Sequence, residues 1–277
     1  MPPRQYATEG LRPQTLLFTF LGHHVLAAGC LDPVATSTLI EVLDRLGVSA
    51  QAARSTLTRM VSRGYLERHR AGRRAYFGMS PKLVKVLGEG EHRLFSAPVR
   101  DLPDDRWTLL SFSIPEDQRG DRHSLRTALG WNGFGLLRNG LWIAPGEVDV
   151  TGVLADLDLT DFVEVFVAQP VPPTDLARVV AEAWDLDAVA AAYDAFLARW
   201  SDGIPDDVAG SLAGQVRLLT EWRQLLVDDP QLPRAHLPVD WPSERAYDLF
   251  RAVLGDLQAA ARVELDEILD VLEDAPV

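Results

Sequence analysis

The 277-residue sequence predicts a multidomain α+β protein. Three observations lead there. The length suits about two domains of roughly 150 residues each, or three smaller ones, better than one compact core. Helix-period and strand-period apolar patterns alternate along the first part of the chain, and from residue 174 onward every segment reads as helix. The charge also changes sign, because residues 1–100 hold 14 Lys+Arg against 7 Asp+Glu and residues 101–277 hold 13 against 33. The formal charge of -13 therefore conceals +7 followed by -20.

Leu16, Leu17, Phe20, Leu21, Val25 and Leu26 recur at three- and four-residue spacing, which predicts a helix over Thr15–Ala28 stopped by Gly29. A second helix is expected over Thr36–Leu46, ended at Gly47. After the turn Gly47-Val48-Ser49, with Ser49 as N-cap, a third runs over Ala50–Arg63 and buries Ala53, Leu57, Met60 and Val61. Tyr65–His69 and Ala75–Met79 read as two short strands around Gly72, and Ser80-Pro81 opens a helix to about Gly90.

In the next section Trp107–Ile114, Gly135–Ile143 and Phe162–Ala168 read as strands, with helices near Arg119–Leu129 and Thr151–Leu157 between them. That alternation is most simply ferredoxin-like. Gln169-Pro170-Val171-Pro172-Pro173 is a linker, since consecutive prolines continue neither helix nor central strand. Helices are expected at 175–184, 186–200, 206–228 and 243–273. The expected domains are thus 1–99, 100–173 and 174–277.

Hydrophobic residues at 47% and charged residues at 24% exclude wholesale disorder, collagen-like repetition and a coiled-coil rod. The single cysteine, Cys30, cannot form an intramolecular disulfide or a multi-cysteine zinc site, so a reducing compartment, the cytoplasm, is expected. Leu26-Ala27-Ala28-Gly29-Cys30 superficially resembles a lipoprotein cleavage site, but Gly22-His23-His24 interrupts the apolar segment after Leu16–Leu21. That is shorter than the roughly 7–15 residues a signal segment needs. No apolar run approaches the roughly 18 residues of a membrane span, and no membrane partner is expected.

Three helices, the last two joined by a short glycine turn, followed by a basic hairpin, make a winged helix-turn-helix. A recognition helix enters the major groove by its N-terminal part, so its exposed early residues must offer hydrogen bonds to base edges. Gln51, Arg54, Ser55 and Thr58 do so, after the capping Ser49, while Arg59 and Arg63 lie where phosphate contact is expected. The hairpin adds Arg68, His69, Arg70, Arg73 and Arg74. From 51 through 85 there are nine Lys+Arg and one acid, Glu67. A solubilising surface would not explain why the basic excess stops near residue 100 and reverses.

These segments resemble a known family. Leu16-Leu17-Phe18-Thr19-Phe20-Leu21-Gly22 and the stretch from Gly47 through Leu66 carry the likeness to the PaaX repressors of phenylacetate degradation. Gly72-Arg73-Arg74-Ala75-Tyr76-Phe77 adds to it, as does Ala183-Trp184-Asp185-Leu186 followed by Tyr193 and Phe196. The resemblance spans roughly 11–200. It implies a bacterial dimeric repressor, released from a double-stranded DNA operator by a small-molecule effector, of which the family's best known is phenylacetyl-coenzyme A. It assigns no effector-binding residue.

Other chemistry finds less support. Ferredoxin-like nucleases place a metal-binding Asp near the end of the first strand, and here Leu109-Leu110-Ser111-Phe112-Ser113-Ile114 offers serines, with Glu116 and Asp117 after it. The six histidines show no metal spacing, and one of His23-His24 is expected inside and the other outside. A Gly-x-Ser-x-Gly signature is absent, and Gly130-Trp131-Asn132-Gly133-Phe134-Gly135 reads as a tight turn. Arg119, Arg122 and Arg126 could hold coenzyme A phosphates, but a solvated face is the simpler reading. Trp107, Trp131, Phe134 and Trp142 likewise read first as core, and only second as an aromatic acyl pocket. A regulator without enzymatic activity, metal or resident cofactor is expected; the alternatives are a winged-helix nucleic-acid binder with a different effector or none, and a ferredoxin-like nuclease.

Overall fold

The computed structural model of the protein describes residues 11–95, 105–115, 118–138 and 140–272. In chain order these form α1 (Pro13–Phe20), β1 (Val34–Ala35), α2 (Thr36–Arg45), α3 (Ala50–Ser62), β2 (Leu66–Ala71), β3 (Arg74–Met79) and α4 (Pro81–Leu94). There follow β4 (Trp107–Phe112), α5 (Arg119–Trp131), β5 (Gly135–Arg138), β6 (Leu141–Pro145), α6 (Thr151–Asp156) and β7 (Val163–Ala168). The rest is helical: α7 (Leu176–Ala183), α8 (Leu186–Trp200), α9 (Gly210–Asp228) and α10 (Ser243–Ile268). The elements group into two compact units, one drawing on 11–95, 196–223 and 248–272, the other on 105–195 and 224–247.

In the first unit, α1 opens on Pro13, whose missing N–H is one that a first helical turn leaves unbonded anyway. The sequence predicts one helix to Ala28, but from Leu21 to Leu26 the backbone winds as a π-helix, with Ala27 N–H reaching Gly22 C=O at 2.9 Å. Gly22 resists α-winding weakly, and the wider turn carries His23 and His24. His24 is buried and His23 half-buried, so neither ring is fully outside. Burial, then the charge of Arg223, lowers the His23 pKa; burial, then His23 and Arg262, lowers that of His24 to about 3.

β1, β3 and β2 form an antiparallel sheet in that order, and the two-residue β1 is too short to carry a period. Leu16, Leu17, Phe20, Leu39, Leu43, Leu57, Met60 and Leu66 fill the core. Leu212 and Val216 of α9 and Ala261 and Leu265 of α10 complete it, so helices from the end of the chain close a core that its beginning starts. Glu264 accepts hydrogen bonds from Ser211 N–H at 2.8 Å and Leu212 N–H at 3.2 Å, capping α9, and pairs with Arg45 at 3.2 Å. Trp222 stacks on Phe250 at 4.8 Å and donates its indole N–H to Leu94 C=O at 3.0 Å.

In the second unit the elements β4, α5, β5, β6, α6, β7 form an antiparallel sheet of order β5-β6-β4-β7. The sequence predicts one strand over Gly135–Ile143; Gly140, at φ +79°, breaks it into the hairpin β5–β6. Alternation along β4 divides the core. Leu110, with Trp142 on β6, faces Leu125 and Leu129 of α5 and Leu154 of α6, while Trp107 packs with Ile143, Val179, Val180 and Leu232. Gly135 lies so close to α7 that a Cβ there would sit 2.7 Å from Ala183 C=O. The expected turn falls at 132–134, with Gly133 at φ +79°, while Gly130 and Trp131 end α5 and Gly135 opens β5. The buried Tyr193 hydroxyl donates to Asp229 at 2.6 Å, and burial pushes that carboxyl up.

Two helices differ at their ends from the sequence expectation. Residues 201–209 form turns, so α9 starts at Gly210, and α10 stops at Ile268 because Asp270 to Leu272 turn extended beside β1. Trp107, Phe134 and Trp142 are buried core as expected, whereas Trp131 is 48% exposed.

Candidate nucleic-acid interface

Leu39, Val42 and Leu43 of α2 and Ala53, Thr56, Leu57 and Met60 of α3 are buried, so the Leu46-Gly47-Val48 turn locks the two helices around one core. Gly47 takes φ +78°, and Ser49 Oγ accepts the Ala52 N–H at 3.3 Å as the expected cap. With that stripe fixed inward, Gln51, Arg54, Ser55, Thr58 and Arg59 are exposed on the rest of α3. Pro13, Ser49, Gln51, Ala52, Ser55, Thr56 and Arg59 line a shallow open cleft on that surface.

Arg59 is pre-positioned: its guanidinium donates to Ser55 Oγ and Thr56 Oγ1, both at 3.0 Å. Arg63 donates to Gln14 Oε1 at 3.0 Å, and Thr58 Oγ1 bonds back to Arg54 C=O at 3.0 Å. Lys82 lies 4.6 Å over the Tyr65 ring and donates to Arg63 C=O.

The β2–β3 hairpin is pinned at its base by Leu66 and Phe77, which belong to the core, and turns at Gly72, φ +60°. Arg68, Arg70, Arg73 and Arg74 are exposed along it and His69 is half-buried. Arg68 pairs in register with Phe77, and Arg70 with Ala75. All eleven residues proposed from sequence, Ser49 through Arg74, are exposed on α3, its flanks and this hairpin. Among the described residues no carboxylate pairs with Arg54, Arg59, Arg63, Arg68, Arg70 or Arg73, whereas Arg74 pairs with Asp270 at 3.0 Å. Tyr76, then Asp270, raises the Arg74 pKa. Sequence reasoning missed Gln14, Lys82 and Asp270 as neighbours of this surface. Asp270 carries no local signal, being 196 residues from Arg74.

Among the described residues the other sequence candidates do not assemble into a second site. Arg119 and Arg126 are exposed on α5, while Arg122 is half-buried and donates to Ile114 C=O at 2.6 Å. Ser111 is half-buried on β4 and Ser113 exposed after it; Glu116 and Asp117 lie outside the described residues. Among the described residues no group of three or more His, Cys, Asp or Glu side chains could hold a metal ion. No described helix is long and apolar enough to cross a membrane.

Residues 12–83 match the family described as PaaX-like protein, 100–180 the PaaX protein central Cas2-like domain, and 184–267 the PaaX-like protein C-terminal domain. The chain is 28% identical over 228 residues to the Transcriptional repressor PaaX of Escherichia coli K12, covering 76% of this chain and 70% of the relative. Its fold resembles the solved structure of an uncharacterized protein from Mycobacterium tuberculosis. There the TM-score is 0.59 at 24% identity, over 91% of this chain and 97% of the other.

Proposed function

We propose that this chain, which belongs to the PaaX family, is a non-enzymatic, DNA-binding transcriptional repressor acting in the cytoplasm. In this reading α2 and α3 are a helix-turn-helix with α3 as recognition helix, and β2–β3 is its wing. The carrying observation is the set of arginines on α3 and the hairpin that no carboxylate neutralises among the described residues, in a chain of net charge -13. Gln51, Arg54, Ser55 and Thr58 read base edges, Ser49 caps the helix at the groove, and Arg59, Arg63, Arg68, Arg70, Arg73 and Arg74 hold phosphates.

The second unit's strand order, with α5 and α6 against one side of the sheet, supports a ferredoxin-like central domain. Along the sequence the modules are 1–99, 100–173 and 174–277, the third supplying helices to both compact units. Two copies bind a palindromic operator, pairing through β7. Among the described residues that strand ends the sheet and exposes Val165, Phe166 and Val167, an open backbone edge with apolar flanks that suits antiparallel addition of its own copy. An aryl-coenzyme A thioester of the phenylacetyl type is the proposed effector that releases the operator.

A footprint on the DNA upstream of its own gene tests the reading. Protection of two half-sites about one helical turn apart, or a multiple of it, is expected, and its loss on adding phenylacetyl-coenzyme A identifies the effector. Protection that no thioester relieves leaves a DNA binder with another effector. Absence of any duplex binding sinks the proposal.

A further inference from the structure

The hairpin strand that carries Arg74 is tied to the far end of the chain. After α10, the Ala35 N–H donates to Asp270 C=O at 2.8 Å and the Leu272 N–H to Pro33 C=O at 2.9 Å, while Val271 bridges Val34 antiparallel. Thr38, 2% exposed, donates its hydroxyl to Ile268 C=O at 2.6 Å and accepts the Asp270 N–H at 3.2 Å. These bonds fix the Asp270 carboxylate against β3, where it accepts from Arg74 Nη1 at 3.0 Å and from the Tyr76 hydroxyl at 3.3 Å.

We infer that Asp270 is an internal competitor for the DNA phosphate that Arg74 would hold, so that the C-terminal strand restrains the affinity of the hairpin for duplex DNA. The inference rests on the reading of β2–β3 as a DNA-contacting wing. A carboxylate and a phosphate oxygen are both anionic acceptors for a guanidinium, and Arg74 must exchange one for the other on binding. An arginine that keeps a carboxylate beside it neutralises a phosphate less completely, and so releases fewer of the cations condensed on the duplex. When Arg74 turns to a phosphate, Asp270 does not withdraw, because its backbone is bonded to Ala35 and Thr38. A negative charge then stays beside the duplex. The tail thereby sets how tightly the wing engages any sequence, without reading one.

The test uses the full chain, with binding to a random duplex and to the protein's own upstream DNA followed by fluorescence anisotropy. Asp270→Asn keeps the side-chain size and an acceptor for Tyr76. It is expected to tighten both complexes by about 3- to 10-fold near 50 mM salt and to steepen the salt slope by about 0.9, one phosphate contact, so that the gain shrinks about threefold by 200 mM. Arg74→Gln, which removes a cation that must first leave Asp270, should cost less than Arg73→Gln, and in the Asp270→Asn background the cost of Arg74→Gln should rise to match it. If Asp270→Asn fails to fold, the Arg74→Gln against Arg73→Gln comparison still decides. Wild-type binding that Arg73→Gln weakens, with no gain from Asp270→Asn or with a cost at Arg74 equal to or above that at Arg73, overturns the competitor and leaves the DNA reading standing. Failure of both wild type and Asp270→Asn to bind any duplex overturns both.

Discussion

Arg54 projects from the first half of α3 without a carboxylate partner among the described residues, whereas Arg73 projects from the tip of the hairpin. The two should therefore fail differently. Arg54→Ala is expected to cost about 1–3 kcal/mol at one operator position and to relax the preference there, and Arg73→Ala to weaken all duplexes alike and flatten the salt slope; titrations on operator and scrambled DNA separate them. A second residue-scale consequence concerns acid. His24 titrates near 3 in the folded chain, driven down first by burial, against the ordinary 6.5. Its proton binds the unfolded chain better, so stability is full above pH 6.5 and declines as pH falls toward 3, by about 2 kcal/mol at pH 5. His23, also lowered, adds in the same direction. Urea unfolding at pH 7 and pH 5 should show that loss, and His24→Leu should reduce it, because Nε2 of His24 has no hydrogen-bond partner among the described residues for the substitution to orphan.

At the scale of the element, what could be read in advance was what is local. The period of α3, its Ser49 cap and the Gly47 and Gly72 turns all act over a few residues, and the structure has each where the sequence puts it. The π-turn was not legible, since a one-residue change in hydrogen-bond spacing leaves the apolar pattern of Leu16–Leu26 nearly intact. The β5–β6 break was missed because Gly140 sits inside an apolar run whose two halves are both strand. β7 shows a different limit. Phe162–Ala168 reads simply as a strand, and only the strand order reveals that Val165, Phe166 and Val167 lie at the edge of the sheet among the described residues. Phe166→Asp should then shift the protein toward monomer in sedimentation velocity while leaving its circular dichroism spectrum unchanged. A wild type that is monomeric at every concentration would remove β7 from the account.

For the whole molecule, the candidate interface was largely legible because a recognition surface is built from neighbours in sequence, and its supports were not because they come from the other end. Asp270 and Thr38 meet across 232 residues, and no pattern near either announces it. The same distance governs stability. Leu212, Val216, Ala261 and Leu265 are each at most 1% exposed in the core that α1 to α3 begin. At about 1.5–3 kcal/mol per buried aliphatic chain, and less for Ala261, their loss rivals the 5–15 kcal/mol of a typical domain. A fragment of residues 1–99 should accordingly melt well below the full chain in calorimetry, or not fold; equal midpoints would show that the N-terminal segment is self-sufficient. The open edge of β7 reaches beyond architecture into dosage. If one DNA-competent particle needs two chains joined there, then in dilute cells operator occupancy follows the square of the protein's abundance. A modest change in expression would tip the gene it governs between on and off more sharply than a single-chain binder can.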